Sequence, residues 1–253
     1  GVFLGLFSIS TLAFVNVLTF LFAFLGSLLI RNRLKKEEEK IEVPPYVGMS
    51  SFFQHLKESM KLLMTMEDVM VLLWILSISQ AVLMMVEPVS AILLIHHPFM
   101  SLSTGQSLAI LIMISLLHVI LGGLLSGFLS KKISIRLNIY WSLLMESLIV
   151  IGFLRGSFLL ILLGSAGDAL STGVLSPRLQ TMILGIIPEE LMGSVQSSIN
   201  VINLLIPAVL SLALVFLATS AGLEVVAFAL IILLLIAAYL VHQMKNLPNQ
   251  EEI

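Results

Sequence analysis

Three carboxylates, Glu87, Glu146 and Asp168, stand inside long apolar runs, where a charge is expensive and survives only with a partner or a pathway. Each has polar company at helical spacing. Ser165, Asp168 and Thr172 follow i, i+3, i+7, and Ser142 lies one turn before Glu146. Ser77, Gln80, Met84 and Glu87 follow i, i+3, i+7, i+10, and Gln196, Asn200, Asn203 and Pro207 follow i, i+4, i+7, i+11. Side chains at these offsets share one helix face, so three polar stripes are expected to look at protein or at a water-filled cavity. An ionisable group at such a depth is by default a proton or cation site, and the alternative is a hydrogen-bonded structural residue. Both readings stay open for Glu87 and Glu146. Pro88 removes a backbone donor next to Glu87 and can kink its helix. Asp168 is the strongest candidate for a proton carrier, because Gly164 and Gly167 thin the helix around it and Ser165 and Thr172 extend its polar face.

Other chemistries lack their residues. The chain has no Cys, hence no thiol nucleophile, disulfide or thiolate metal centre. His118 is alone in its run and reads as a hydrogen-bonded packing residue, while His96 and His97 beside Pro98 face water; no ligand set for a metal forms. Gly167-Asp168 resembles part of the Gly-x-Gly-Asp of intramembrane aspartyl proteases, but Ser165 occupies the first Gly position and the only other Asp is Asp68, at a membrane boundary. A rhodopsin-like receptor is disfavoured by the absence of Lys from the final run. No phosphate-binding Gly-x-x-x-x-Gly-Lys-Ser/Thr occurs. The expectation is therefore no enzyme, no cofactor and no nucleic-acid partner. Gly123 and Gly127, extended by Gly122 and Ser126, form a small-xxx-small pair of the kind that packs helices.

The elements that must position these residues are membrane spans. Of the residues, 58% are hydrophobic and 11% charged, against the ~25% charged of an ordinary soluble domain. Apolar runs at Leu12 to Ile30, Val69 to Ile95, Gly105 to Leu129, Leu137 to Leu154, Ser157 to Ser176, Ser194 to Ala218 and Leu223 to Val241 approach or exceed the ~20 residues that cross a bilayer as a helix. The fold class expected is an all-α integral membrane protein with seven transmembrane helices. Placing the end after Ile30 inside puts Arg31, Arg33, Lys35, Lys36, Lys40, Lys57, Lys61, Lys131, Lys132, Arg136, Arg178 and Lys245 on one side and leaves Arg155, of 13 basic residues, on the other. The positive-inside rule then starts the chain outside and ends it in the cytoplasm. Accordingly, a cysteine placed at position 40 of this Cys-free chain is expected to resist an impermeant thiol reagent added to intact cells. Labelling there would reverse the topology.

Four segments follow: a first span at 1–30; a cytoplasmic linker at 31–66; six spans at 67–245; and a cytoplasmic tail at 246–253. Within the linker, Ser51 and Gln54 offer a capping box, and Phe52, Leu56, Met60 and Leu63 share a face beside Lys57 and Lys61, the pattern of an amphipathic helix at the membrane surface. The chain begins at Gly1 without the pattern of a signal peptide and reads as a fragment or truncated product.

One span, a long basic loop and six spans resemble the Major Facilitator Superfamily seen from the last helix of its first half to its end. The residues that carry the likeness are Ser176-Pro177-Arg178-Leu179-Gln180 and Ile187-Pro188-Glu189-Glu190-Leu191-Met192-Gly193-Ser194-Val195, similar to a pattern in drug and macrolide exporters of that family. Ser176 replaces the usual Asn and Ser194 the usual Arg. Gly127 to Lys132 with Arg136 resembles the family's gating loop, with Lys131 in place of its Asp and Ser134 in place of a Gly. The resemblance implies a multi-pass plasma-membrane transporter, proton-coupled, exporting small amphipathic compounds by rocking two six-helix halves about a midplane site. It also implies a missing N-terminal half as partner, beside the lipid bilayer and a small-molecule substrate. Substrate or proton pathway candidates are Asp168, Glu87, Gln80, Asn200, Asn203, Glu146 and His118; gating candidates are Gly127, Lys131, Lys132 and Arg136. The resemblance places the second, third, fifth and sixth spans around the cavity and the fourth and seventh at the periphery, which leaves Glu146 on a peripheral helix. The competing reading is a truncated or partner-dependent membrane protein that does not transport.

Overall fold

Leu, Ile and Val lead the apolar residues of these runs, and a run without water to bond its backbone must satisfy its N–H and C=O groups internally, which a helix does. The computed structural model describes residues 17–28, 57–58, 60–187 and 192–244. Every regular element among them is helical: α1 (Val17–Leu28), then α2 (Glu67–His96), α3 (Thr104–Leu129), α4 (Ile135–Arg155), α5 (Phe158–Ile186), α6 (Met192–Ala221) and α7 (Leu223–Gln243). Six of these, α2 to α7, are long and apolar enough to span a membrane. The described part of α1 is too short, so the expected count of seven is supported for six.

The chain divides into two units, residues 1–54 and 55–253. In the first, α1 exposes Phe20, Phe22 and Phe24. The linker at 31–54, with the capping box expected at Ser51 and Gln54, lies outside the described residues, as do the loop residues Pro188 to Leu191 and the tail from Lys245. The second unit holds the bundle. Its α5 packs along both α3 and α4, while α2 packs on α6 and α7, and α4 also meets α7. Residues 60–65 are helical; Leu63 is fully buried, and with Met60 it packs against Val69 and Leu73 of α2 and Val195, Ile199 and Ile202 of α6. The other two residues of the expected amphipathic face, Phe52 and Leu56, lie outside the described residues.

Local chemistry sets the ends. Ser103 caps α3 in a full capping box, its hydroxyl accepting from the Gln106 amide at 3.2 Å while the Gln106 side chain accepts from the Ser103 amide at 3.0 Å. Ser134, standing where the resemblance expects Gly, caps α4 by accepting from Leu137 N at 3.2 Å. Gly156, at φ +63°, closes α4 in the left-handed conformation that favours glycine. The fifth span does not stop at Ser176. Helix α5 continues through Pro177 to Ile186, so Arg178 belongs to a helix rather than to a loop. Helices α2 and α6, of 30 residues each, reach ~45 Å at 1.5 Å per residue and must tilt or project beyond a ~30 Å core.

The outward faces are apolar. Leu116, Leu124 and Phe128 on α3, Leu204, Leu212 and Phe216 on α6, and Phe228 and Leu235 on α7 are all more than half exposed. Contiguous patches of this kind are stable against acyl chains and not against water, and they identify the chain as a multi-pass membrane protein. Inside, α4 buries Ile135, Asn138, Ile139, Ser142, Leu143, Glu146, Ile149 and Val150, a stripe at three- and four-residue steps. The close approach of α3 to α5 rests on glycine. A Cβ on Gly122 would meet Leu170 O at 2.3 Å, and one on Gly173 would meet Val119 O at 2.2 Å. The expected pair was Gly123 and Gly127, but Gly127 has nothing within 4 Å and Gly123 only Gly173 O at 4.0 Å. Gly122 and Ser126 form the contact face instead, with the Ser126 hydroxyl donating to Val174 O at 3.0 Å.

Candidate functional site

The inward stripe of α4 carries the site. Glu146 is completely buried at its centre and accepts from Ser79 of α2 and, at 3.4 Å, from Ser142 one turn earlier. Ser142 also donates to Asp168 of α5, whose exposure is 2%. The Ser142 hydroxyl thus reaches both carboxyl groups. One turn toward the start of α4, Asn138 and Ser171 clamp the same two helices: the Ser171 hydroxyl reaches Asn138 Oδ1 at 2.7 Å, and Asn138 Nδ2 donates to Ser171 O at 3.2 Å. Interhelical bonds of this type average ~0.6 kcal/mol each in a membrane, enough to fix the register between α4 and α5 and hence the separation of the carboxyls.

Two cavities flank this cluster. One, of about 390 Å³, is lined by Ser79, Gln80, Ser142, Thr172, Asn200 and Asn203 together with Leu and Met side chains. The other, of about 300 Å³, is lined by Glu87, Ser115, Ser165, Asp168 and Thr172 with an apolar wall from α3. Helix direction separates them. The larger uses Leu76 to Met84 of α2 and Thr172 to Leu179 of α5, toward the α2 N-terminus; the smaller uses Leu83 to Glu87 and Ser165 to Thr172, toward the α2 C-terminus. Leu83 and Thr172 belong to both. Lys131, Lys132, Arg136 and Arg178 mark the first end, called the basic end below, and Arg155 the opposite end.

The predicted residues sort accordingly. Asp168 sits on the polar face expected of it, with Ser165 and Thr172 lining the same cavity. Gln80, Asn200 and Asn203 share the basic-end cavity, where Gln196 Nε2 donates to Asn200 Oδ1 at 3.3 Å and Asn203 Oδ1 is buried without a partner. Glu87 is exposed on the opposite-end cavity. Ser77, at the edge of the same stripe, turns away into the packed interior. His118 stays out of both cavities, its Nδ1 2.7 Å from Ile114 O of its own helix, in keeping with a packing role. Glu146 does not sit idle on a peripheral helix; α4 turns it inward.

At the basic end Arg178 is 6% exposed and donates to Ile133 O at 2.8 Å and Ser130 O at 3.3 Å, tying the α3–α4 turn to α5. Arg136 donates to Met244 O at the end of α7. Lys131 and Lys132 are exposed, the latter 4.4 Å over the Phe128 ring. Of the gating candidates, only Arg136 is held by another helix's end; Gly127 faces open space. Sequence reasoning missed Ser79, Arg178 and the Asn138–Ser171 clamp. The i, i+4, i+8 series Asn138, Ser142, Glu146 was the available signal for the α4 side.

Fold and site together define an α-helical multi-pass membrane protein with a buried carboxyl pair between two cavities. Comparison with protein-family models, curated proteins and solved structures finds no match for this chain.

Proposed function

We propose that the chain is the second half of a Major Facilitator-type secondary transporter of the plasma membrane, with a cytoplasmic C-terminus, that exchanges protons for small amphipathic molecules. One observation carries the reading: Glu146 and Asp168 are buried beside two cavities displaced toward opposite ends of the bundle. Buried carboxyls at membrane depth mark ion or proton pathways, and proton-coupled alternating access needs a titratable centre reached from either end. The basic-end cavity mixes amide and hydroxyl groups with Leu and Met and is lined by no charged side chain among the described residues. Such a lining fits uncharged amphipathic substrates. The export direction and the partnership with a preceding six-helix half come from the resemblance.

The gene expressed from the start of its reading frame is expected to speed the exit of uncharged amphipathic fluorophores from preloaded cells when the medium is acid. A protonophore should abolish the effect. Equal retention of every dye with and without the gene overturns the reading.

A further inference from the structure

The two carboxyls are not equivalent in what they reach. Asp168 lines the opposite-end cavity together with Ser165, whose buried hydroxyl has no hydrogen-bond partner. Glu146 lines neither cavity; Ser79 and Ser142, which both donate to it, line the basic-end one. Ser142 touches Asp168 as well, yet its hydroxyl has one hydrogen and can donate to one carboxylate at a time. The second oxygen of Glu146, Oε2, is buried with no partner. A buried carboxyl oxygen without a donor is the one that can carry a proton.

We propose that Glu146 and Asp168 form one proton site, sharing a single proton through Ser142 and passing it between the cavity at the basic end and the cavity at the opposite end. The inference rests on the transport reading for its purpose and on the geometry for its members. Two buried carboxyls bridged by one hydroxyl repel each other when both are charged, so the pair holds one proton and one negative charge. No cation faces it. Helix α2 brings Glu87 across the Asp168 cavity; α3 carries His118, engaged with Ile114 O. Arg178 of α5 and Arg136 of α4 are bonded to carbonyls at the basic end. Helix α6 has no charged residue or His, and those of α7, Glu224 and His242, sit at its two ends.

In the transfer a proton arrives on Asp168 from the opposite-end cavity as the proton held by Glu146 leaves along the Ser79 hydroxyl into the basic-end cavity, so the pair keeps one proton. The Asp168 O–H then donates to Ser142 Oγ while the Ser142 hydrogen passes to the Glu146 carboxylate: the Asp168 O–H and the old Ser142 O–H break as a new Ser142 O–H and the Glu146 O–H form, and the negative charge moves from Glu146 to Asp168. Ser142, which donated to Glu146 before, now donates to Asp168. Movement in the other sense reverses each step.

The full chain reconstituted in lipid vesicles tests this through the infrared carboxylic-acid C=O band, followed against pH as variant-minus-wild-type differences. Glu146→Gln and Asp168→Asn are each expected to displace the titration of the carboxyl that remains by at least about tenfold in proton concentration, since coupled sites do not titrate alone. Ser142→Ala leaves both carboxyls in place and keeps the test open if either of those variants fails to fold; it too should displace the curve. Two independent losses that add up to the wild-type curve overturn the shared site, and an unmoved curve in Ser142→Ala overturns the bridge. A curve displaced by sodium at constant pH would show a cation site instead and overturn the proposal. Protonation is read here without flux: a failed coupling with dye export intact removes the shared proton alone. Intact coupling without dye export removes the transport reading alone.

Discussion

Asp168→Asn is expected to insert and fold at the wild-type level while gradient-driven flux falls to background. The amide has the shape of the carboxyl and its oxygen still accepts from Ser142, so the contact between α4 and α5 survives. Titration at position 168 is lost. Because Asp168 is the member of the pair that lines the opposite-end cavity, its replacement closes that entry to protons without touching Gln80, Asn200 and Asn203 at the other end. Exchange of labelled for unlabelled substrate across equal pH should therefore persist where net accumulation against a pH gradient does not. Both fluxes, measured in the same cells, separate coupling from binding. Undiminished gradient-driven flux in a normally expressed Asp168→Asn variant would take the coupling role from Asp168 and pass it to Glu87, which lines the same cavity.

How much of this was readable beforehand follows from what lipid and packing each demand. Spans are legible because a bilayer requires ~20 apolar residues with their backbone bonded internally, a demand written along the chain. Their ends are less so. The fifth apolar run ends at Ser176, yet α5 runs on to Ile186 and its Arg178 bonds to the α3–α4 turn. Stripe spacing sets Ser165, Asp168 and Thr172 on one face because three polar residues at helical offsets have one face between them, and all three line one cavity. Ser77 packs into protein rather than a cavity because a stripe has edges, and only the neighbouring helices decide which side of an edge faces a cavity. Glu146 was visible as a buried carboxyl but was assigned to the periphery by analogy; its own series, Asn138, Ser142, Glu146, pointed inward. Ser79 could not have been found, since a lone Ser next to Gln80 has no periodicity to betray it.

The same limit governs the small residues of α3, where Gly122, Gly123, Ser126 and Gly127 offer two overlapping faces and the partner helix selects one. That selection makes a sharp expectation. Gly173→Ala is expected to destabilise the bundle by about 1–3 kcal/mol, as overpacking does, and Gly173→Val by more. The Cβ would meet Val119 O at 2.2 Å, Gly123 N at 2.9 Å and Gly122 Cα at 3.0 Å, all backbone atoms that cannot rotate aside. Helices α3 and α5 must then separate, which stretches the 3.0 Å bond from Ser126 to Val174 O and loosens the wall behind Asp168. Gly127→Ala is the internal control: with nothing within 4 Å of the new methyl, it should leave stability unchanged or raise it slightly through helix propensity. Thermal unfolding in detergent, followed by circular dichroism at matched protein and detergent concentrations, ranks the variants. The expected order of melting is Gly173→Val, then Gly173→Ala, then wild type with Gly127→Ala. A Gly173→Val chain that melts with the wild type would show that α3 and α5 do not approach through glycine, and the placement of Asp168 opposite the apolar wall of α3 would fall with it.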